Sequence, residues 1–239
     1  LLTDPARRPA ILYAATRKVA EATAEALQGR FKAAAYHAGL SPATRDQVQE
    51  AFLSDRIDVV VATIAFGMGI DKPDVRTVAH LALPGSVEGY YQEIGRAGRD
   101  GKPSRALLLH SFADRKTHEF FLERDYPEPG VLEGICAALA RGPVEKGALA
   151  GVTRLAPEVF EKALQKLWVH GGVVMRPDGV VTLGKDGWQK PYEAQRVRRV
   201  AQLADMARFA EGRDCRMRRL VRHFGDRADR GLACGICDQ

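Results

Sequence analysis

Over the first 110 residues, short β-branched or alanine-rich apolar runs alternate with longer stretches whose apolar positions recur at helical spacing. The runs predict strands near 10 to 15, 31 to 36, 57 to 63, 77 to 83 and 105 to 110, and the intervals predict helices near 16 to 29, 42 to 54 and 86 to 95. Ser41 reads as an N-cap with Pro42 at the first helical position, a start signal for the second helix. Strands alternating with helices predict an α/β lobe, a parallel sheet covered on both faces, with a linking helix over Ala113 to Arg124.

The breaker cluster Y-P-E-P-G, Tyr126 to Gly130, ends that pattern. Helices follow over Val131 to Ala140, Val144 to Gly151 and Pro157 to His170, the last with Val159, Phe160, Ala163, Leu164 and Leu167 on one face. Val173 to Arg176 and Val180 to Leu183 then pair across P-D-G as a hairpin. Three helices and a hairpin predict a winged-helix-like α+β domain over 126–190. If its third helix enters a major groove, Lys162 and Lys166 are candidate DNA contacts. That exposed face also carries Glu158 and Glu161, and such modules dock proteins too, so both readings stand. A long helix, Tyr192 to Gly212, leads into a helical segment, 191–239, that holds three of the four cysteines.

Composition narrows the classes. At 46% hydrophobic and 28% charged, 239 residues are a globular chain with enough length for more than one core. No stretch approaches 18 uninterrupted apolar residues and the start lacks a signal-peptide pattern, so the expectation is a cytoplasmic protein, in the bacterial cytoplasm or nucleoid, with no membrane partner. Net charge is +6, and residues 190–239 hold 12 Lys/Arg against 7 Asp/Glu. Such a basic end attracts phosphate backbones, unless it is an ordinary solvated face.

The chemistry concentrates in two segments. Tyr91 to Gly101 reads Y-Q-E-I-G-R-A-G-R-D-G, which places Arg96 and Arg99 three apart among glycines, with Gln92 one turn before. Arginines on such a segment suit a γ-phosphate in flight, where positive charge accelerates phosphoryl transfer; the alternative is a helix end with two solvated arginines. Upstream, V-V-V-A-T-I-A-F-G-M-G-I-D-K-P-D-V-R, Val59 to Arg76, is a buried parallel strand feeding a glycine-punctuated loop. Ligands bind beyond the carboxyl ends of such strands, where Thr63, Gly67, Gly69 and Asp71 fall. Asp71 also reads as a plain turn residue before Pro73.

Taken together, these segments, with His80 and Pro84 between them, closely resemble motifs V and VI of the RecQ family of superfamily 2 DNA helicases. Y-H-A-G-L, Tyr36 to Leu40, and I-L-Y-A-A-T-R-K, Ile11 to Lys18, resemble further parts of the same lobe, although the family more often has cysteine and serine where Ala14 or Ala15 and Thr16 stand. The resemblance covers residues 10 to 110. It implies a RecA-like lobe (1–125) in which Arg99 is the arginine finger, with Arg96 beside it on the phosphates and Gln92 in the same site. Thr63 and the glycine loop, Gly69 included, would couple nucleotide to DNA, Asp71 would lie near the ribose, and Arg17 and His37 near the DNA backbone. The implied activity is ATP-dependent 3′ to 5′ helicase action on single-stranded and duplex or forked DNA.

Cys215 and C-G-I-C at Cys234 to Cys237 have the spacing of a zinc knuckle, and F-A-E-G-R-D-C-R-M-R-R-L-V-R-H-F-G-D, Phe209 to Asp226, resembles the RecQ zinc-binding region. A structural Zn²⁺ takes four ligands. The expectation is a fourth cysteine directly after Gln239, with His223 a weaker alternative. Cys136 reads as a small buried side chain.

Two features depart from the family. The winged-helix pattern precedes the cysteines, where the family has it after them, so it reads as an insertion. Neither a G-x-x-x-x-G-K-[ST] phosphate loop nor a D-E-x-H motif occurs. The expectation is that a first RecA-like lobe, which holds most of the contacts to ATP and Mg²⁺, precedes Leu1, and that this chain does not hydrolyse ATP alone. The competing class is a non-catalytic DNA-binding scaffold built from a degenerate lobe.

Overall fold

A computed structural model describes residues 2–67, 69–226 and 231–239. The chain divides into two compact units, residues 1–115 with 204–239, and residues 116–203.

In the first unit, β1 (Ala10–Tyr13), β2 (Ala33–Tyr36), β3 (Val59–Ala62), β4 (Thr77–His80) and β5 (Arg105–Leu108) form one parallel sheet in the order β2-β3-β1-β4-β5. Successive residues of a strand face opposite sides. Ile11, Tyr13, Val60 and Ala62 accordingly enter one core with Phe52 and Phe66. Ala10, Leu12, Val59 and Val61 enter another with Ala20 and Ala24. The helices that cover these faces are α1 (Arg17–Gln28), which brings Ala20 and Ala24, and α2 (Pro42–Leu53), which brings Phe52. Ser41 caps α2 as its position predicted, its side chain accepting from the Thr44 amide at 3.1 Å. Thr16 caps α1 through Val19 N at 3.2 Å, so the departure from serine there keeps the hydroxyl that the helix start requires.

Register decides what meets beyond the sheet. Tyr36, Ala62, Tyr13, His80 and Leu108 stand in one row at the carboxyl edge. The loop after β3 and the helix α3 (Val87–Ile94) begin from this edge, whereas the turn that follows α3 bonds to Pro73 and Val75 ahead of β4.

The second unit contains most of α4 (Phe112–Asp125), α5 (Pro129–Leu139), β6 (Val144–Glu145), α6 (Lys146–Thr153), α7 (Pro157–Val169), β7 (Val173–Met175), β8 (Val180–Leu183) and the larger part of α8 (Gln189–Glu211). Its strands form an antiparallel sheet, β6-β8-β7. The helix expected from Val144 begins two residues late, because Val144 and Glu145 pair with β8 and the Glu145 carboxylate caps α6 through Ala148 N at 3.0 Å. The boundaries differ from 126 and 190 as well, since Leu122 of α4 and Trp188 and Tyr192 around the start of α8 pack into the core of this unit. Cys136 is half-buried against the same core, and burial raises its thiol pKa.

The end of α8 and α9 (Arg216–His223) return to the first unit, where Met206, Phe209 and Leu220 are buried. No described helix is long and apolar enough to cross a membrane.

Candidate nucleotide-facing site and thiol cluster

At the carboxyl edge, Tyr13 organises two segments that are far apart in sequence. Its hydroxyl donates to Phe66 O at 2.9 Å and accepts from Arg96 Nε at 3.0 Å. Burial, opposed by the Arg96 charge, pushes the Tyr13 pKa up to about 12, so the phenol keeps the proton it donates. Arg96 Nη1 reaches Ile70 O at 3.5 Å, and its Nη2 would stand 3.3 Å from a Cβ placed on Gly67. The Arg96 guanidinium is thus turned onto the 66–70 loop, as the rivet between that loop and the α3 turn. Tyr13→Phe should cost roughly 1–3 kcal/mol in chemical denaturation, because it strands a buried carbonyl and leaves Arg96 Nε without its acceptor; an unchanged stability would remove Tyr13 from this role.

Arg99 is placed differently. It follows Gly98, whose φ of +65° suits glycine and whose N–H donates to Val75 O at 2.9 Å. A Cβ on Gly98 would lie 2.5 Å from Ser104 Oγ and 2.9 Å from Lys102 O. That turn presents Arg99 at the surface, where Nη1 bonds Asp71 Oδ1 at 2.8 Å and Nε bonds Gly95 O at 3.1 Å. The Arg99 side chain is 39% exposed and Asp71 84%, so water competes for this pair and the guanidinium is free to be taken by a stronger anion. Gln92 and Gly69 are exposed, and Thr63 is half-exposed just past β3, its amide on Tyr36 O at 3.1 Å.

Two further ties hold the frame. Arg76 grips Asp100 with both terminal nitrogens, and that hydrogen bonding holds the Asp100 carboxyl below its usual range. Lys72, only 5% exposed, meets Asp55 at 2.7 Å and Asp74 at 3.1 Å. Burial pulls the Lys72 pKa down, but the two carboxylate hydrogen bonds outweigh it and hold the ammonium above its usual value.

His37 is buried rather than turned to a phosphate backbone. Its Nδ1 accepts from Gly39 N at 3.2 Å, and Nε2 lies 2.9 Å from Glu21 Oε1 without hydrogen-bond alignment. Arg17 is exposed, and its Nη1 would stand 3.0 Å from a Cβ on Gly39, so the Y-H-A-G-L turn supports Arg17 and leaves that cation outward. In the second unit, Lys162 pairs with Asp125 at 2.7 Å and Lys166 Nζ sits 3.8 Å over the Tyr126 ring, so both α7 lysines are engaged locally.

Sequence reasoning assigned no role to Tyr13 or to the buried His80. His80 Nε2 lies 2.6 Å from Glu93 Oε2, and its ring packs between Tyr13 and Tyr90, centroids 5.1 and 5.0 Å away. The available signal was an aromatic and a histidine ending adjacent parallel strands.

Cys215, Cys234 and Cys237 come together with their sulfurs within 4.8 Å of one another. Cys234 N donates to Cys215 Sγ at 3.2 Å, and backbone N–H groups of Arg218 and then Cys234 lower the Cys215 thiol to about 6. Arg216 anchors the cluster: Nη1 takes the α8 carbonyls of Phe209 (2.7 Å) and Ala210 (3.1 Å), while Nε and Nη2 hold Asp238 at 3.0 Å each. These are carbonyls that a helix end leaves without partners. Sulfurs around a tetrahedral Zn²⁺ stand roughly 3.8 Å apart, given Zn–S bonds near 2.3 Å, so a small contraction fits three thiolates to that metal.

A sequence model of the helicase conserved C-terminal domain matches residues 2–101, and one for RecQ zinc binding matches residues 182–239. Over these two segments the chain is similar to the RecQ family. Among its relatives, the ATP-dependent DNA helicase RecQ of Pasteurella multocida is 52% identical over 116 residues, which is 48% of this chain and 18% of that protein. RecQ of Haemophilus influenzae is 54% identical over 105 residues, 44% of this chain and 17% of that protein. The ATP-dependent helicase SGS1 of Saccharomyces cerevisiae is 48% identical over 116 residues, 48% of this chain and 8% of that protein. The chain thus spans less than a fifth of these curated relatives. A solved DEAD box protein from Methanococcus jannaschii aligns over 52% of this chain and 34% of its own at 29% identity, with a TM-score of 0.43, and the fold rests on the strand order itself.

Proposed function

We propose that this chain is the second RecA-like lobe of a RecQ-family ATP-dependent DNA helicase, working against a first lobe of the same protein that holds Mg²⁺ and most of the ATP. The observation that carries this reading is Arg99, delivered to the surface by the Gly98 turn and held there by an exposed pair with Asp71 and one hydrogen bond to Gly95 O. An ATP γ-phosphate carries more charge than one carboxylate, so bound nucleotide takes Arg99 from Asp71. Arg99 then neutralises the charge on the transferring phosphoryl group. Arg96, riveted to the 66–70 loop, transmits that displacement to the loop. Thr63, Gly69 and the outward Arg17 are assigned to the DNA-facing side, and Gln92 to the water or phosphate side of the nucleotide.

Cys215, Cys234 and Cys237 hold a structural Zn²⁺, which cross-links the chain termini of this segment. The test of the whole reading is ATP turnover by the whole protein with and without single-stranded DNA. DNA-stimulated turnover is expected; a protein that binds DNA but shows no turnover would make the lobe a scaffold.

A further inference from the structure

Helix α3, which ends two residues before Arg96, is held in part by the segment that follows Cys215. Along α3, Tyr90 is buried, its ring 5.0 Å from His80 and 5.4 Å from Phe209 of α8. The neighbouring flank is held by α9. Glu88, in the first turn of α3, lies 2.9 Å from His223 Nε2, and that hydrogen bond is the chief cause of a lowered Glu88 carboxyl. Tyr91, one turn later, packs on Phe224 with ring centroids 4.8 Å apart and planes at 51°, a favourable tilted aromatic pair.

From Tyr91 a short chain of hydrogen bonds runs to the candidate finger. Gly95 N donates to Tyr91 O at 3.0 Å, and Arg99 Nε donates to Gly95 O at 3.1 Å. The two rings are half-exposed, Tyr91 at 50% and Phe224 at 49%. They meet at the point from which Arg99 is suspended.

We infer that His223 and Phe224 are positioning residues for Arg99, setting the end of α3 from outside the nucleotide site. The inference rests on the proposed motor reading, since it matters only if Arg99 acts on a phosphoryl group. A displacement of about 1 Å in a reacting group lowers rates by on the order of 100-fold. An arginine finger acts in the transition state rather than in substrate binding, so the loss falls on kcat.

In the whole protein, Phe224→Ala is expected to lower DNA-stimulated kcat for ATP about tenfold, a change of about 1.4 kcal/mol in the barrier, with KM for ATP within about twofold. Phe224→Tyr keeps the ring and should restore kcat. Glu88→Gln, which weakens the His223 contact, should give a smaller loss of the same kind. Melting temperatures of all three variants should stay close to that of the parent, because the ring is half-exposed. Unchanged kcat in Phe224→Ala, a matching rise in KM, or failure of Phe224→Tyr to restore the rate would overturn the inference. A parent protein with no DNA-stimulated turnover would instead overturn the motor reading on which it stands.

Discussion

Arg99→Ala should lower the DNA-stimulated ATP turnover of the whole protein by roughly 10³ to 10⁵, the range an arginine finger contributes. The variant should fold normally. Arg99 makes one exposed ion pair and one hydrogen bond to the turn before it, and exposed pairs are worth about 0–1 kcal/mol. Loss of activity with an unchanged melting curve therefore reports chemistry rather than collapse. KM for ATP should move little, since the positive charge is needed most as the phosphoryl group leaves. Arg99→Lys keeps the charge but not the planar fork, and should recover only part of the rate. Turnover within about tenfold of the parent in Arg99→Ala would exclude the finger role.

The second large effect is at the thiols. Cys215→Ser in the whole protein should abolish stoichiometric zinc by elemental mass spectrometry and melt the α9 segment while leaving the five-stranded sheet folded. A structural zinc contributes on the order of 10–16 kcal/mol of apparent binding energy, far more than a segment held by α8, α9 and one knuckle gains from its own small core. The sheet has its cores on both faces and does not draw on the cluster. Loss of zinc together with loss of α9 protection in hydrogen exchange is the expected pair of results. Zinc retained at full stoichiometry in Cys215→Ser would remove Cys215 from the ligand set. Because α9 braces α3, the same variant should also show lower kcat with an intact sheet.

Local chemistry made much of this legible from sequence. A run such as V-V-V-A suits a strand covered on both faces, as in a parallel sheet, and β3 is that strand, with all four residues buried. Ser41 caps α2 where a hydroxyl before proline predicted, and Gly98 has the positive φ that explains a glycine between two arginines. The three cysteines carried their own spacing rule and do converge. Where the reading stopped short, partners come from distant segments. Tyr13 and Arg96 are 83 residues apart and meet only because β1 lies beside β3 and β4. His37, read toward DNA, is buried because its ring is drawn back onto the Gly39 turn.

The parallel lobe, the arginine turn and the spacing of the thiols were legible beforehand, since each depends on residues a few positions apart whose backbone needs and side-chain chemistry are written locally. Only the fold turned Arg96 inward as a rivet and Arg99 outward on Asp71. Only it decided, too, that α9 closes on α3, with His223 and Glu88 135 positions apart in the chain. Strand order and register set those meetings, and no local pattern encodes which distant side chain a parallel sheet will bring to the same edge.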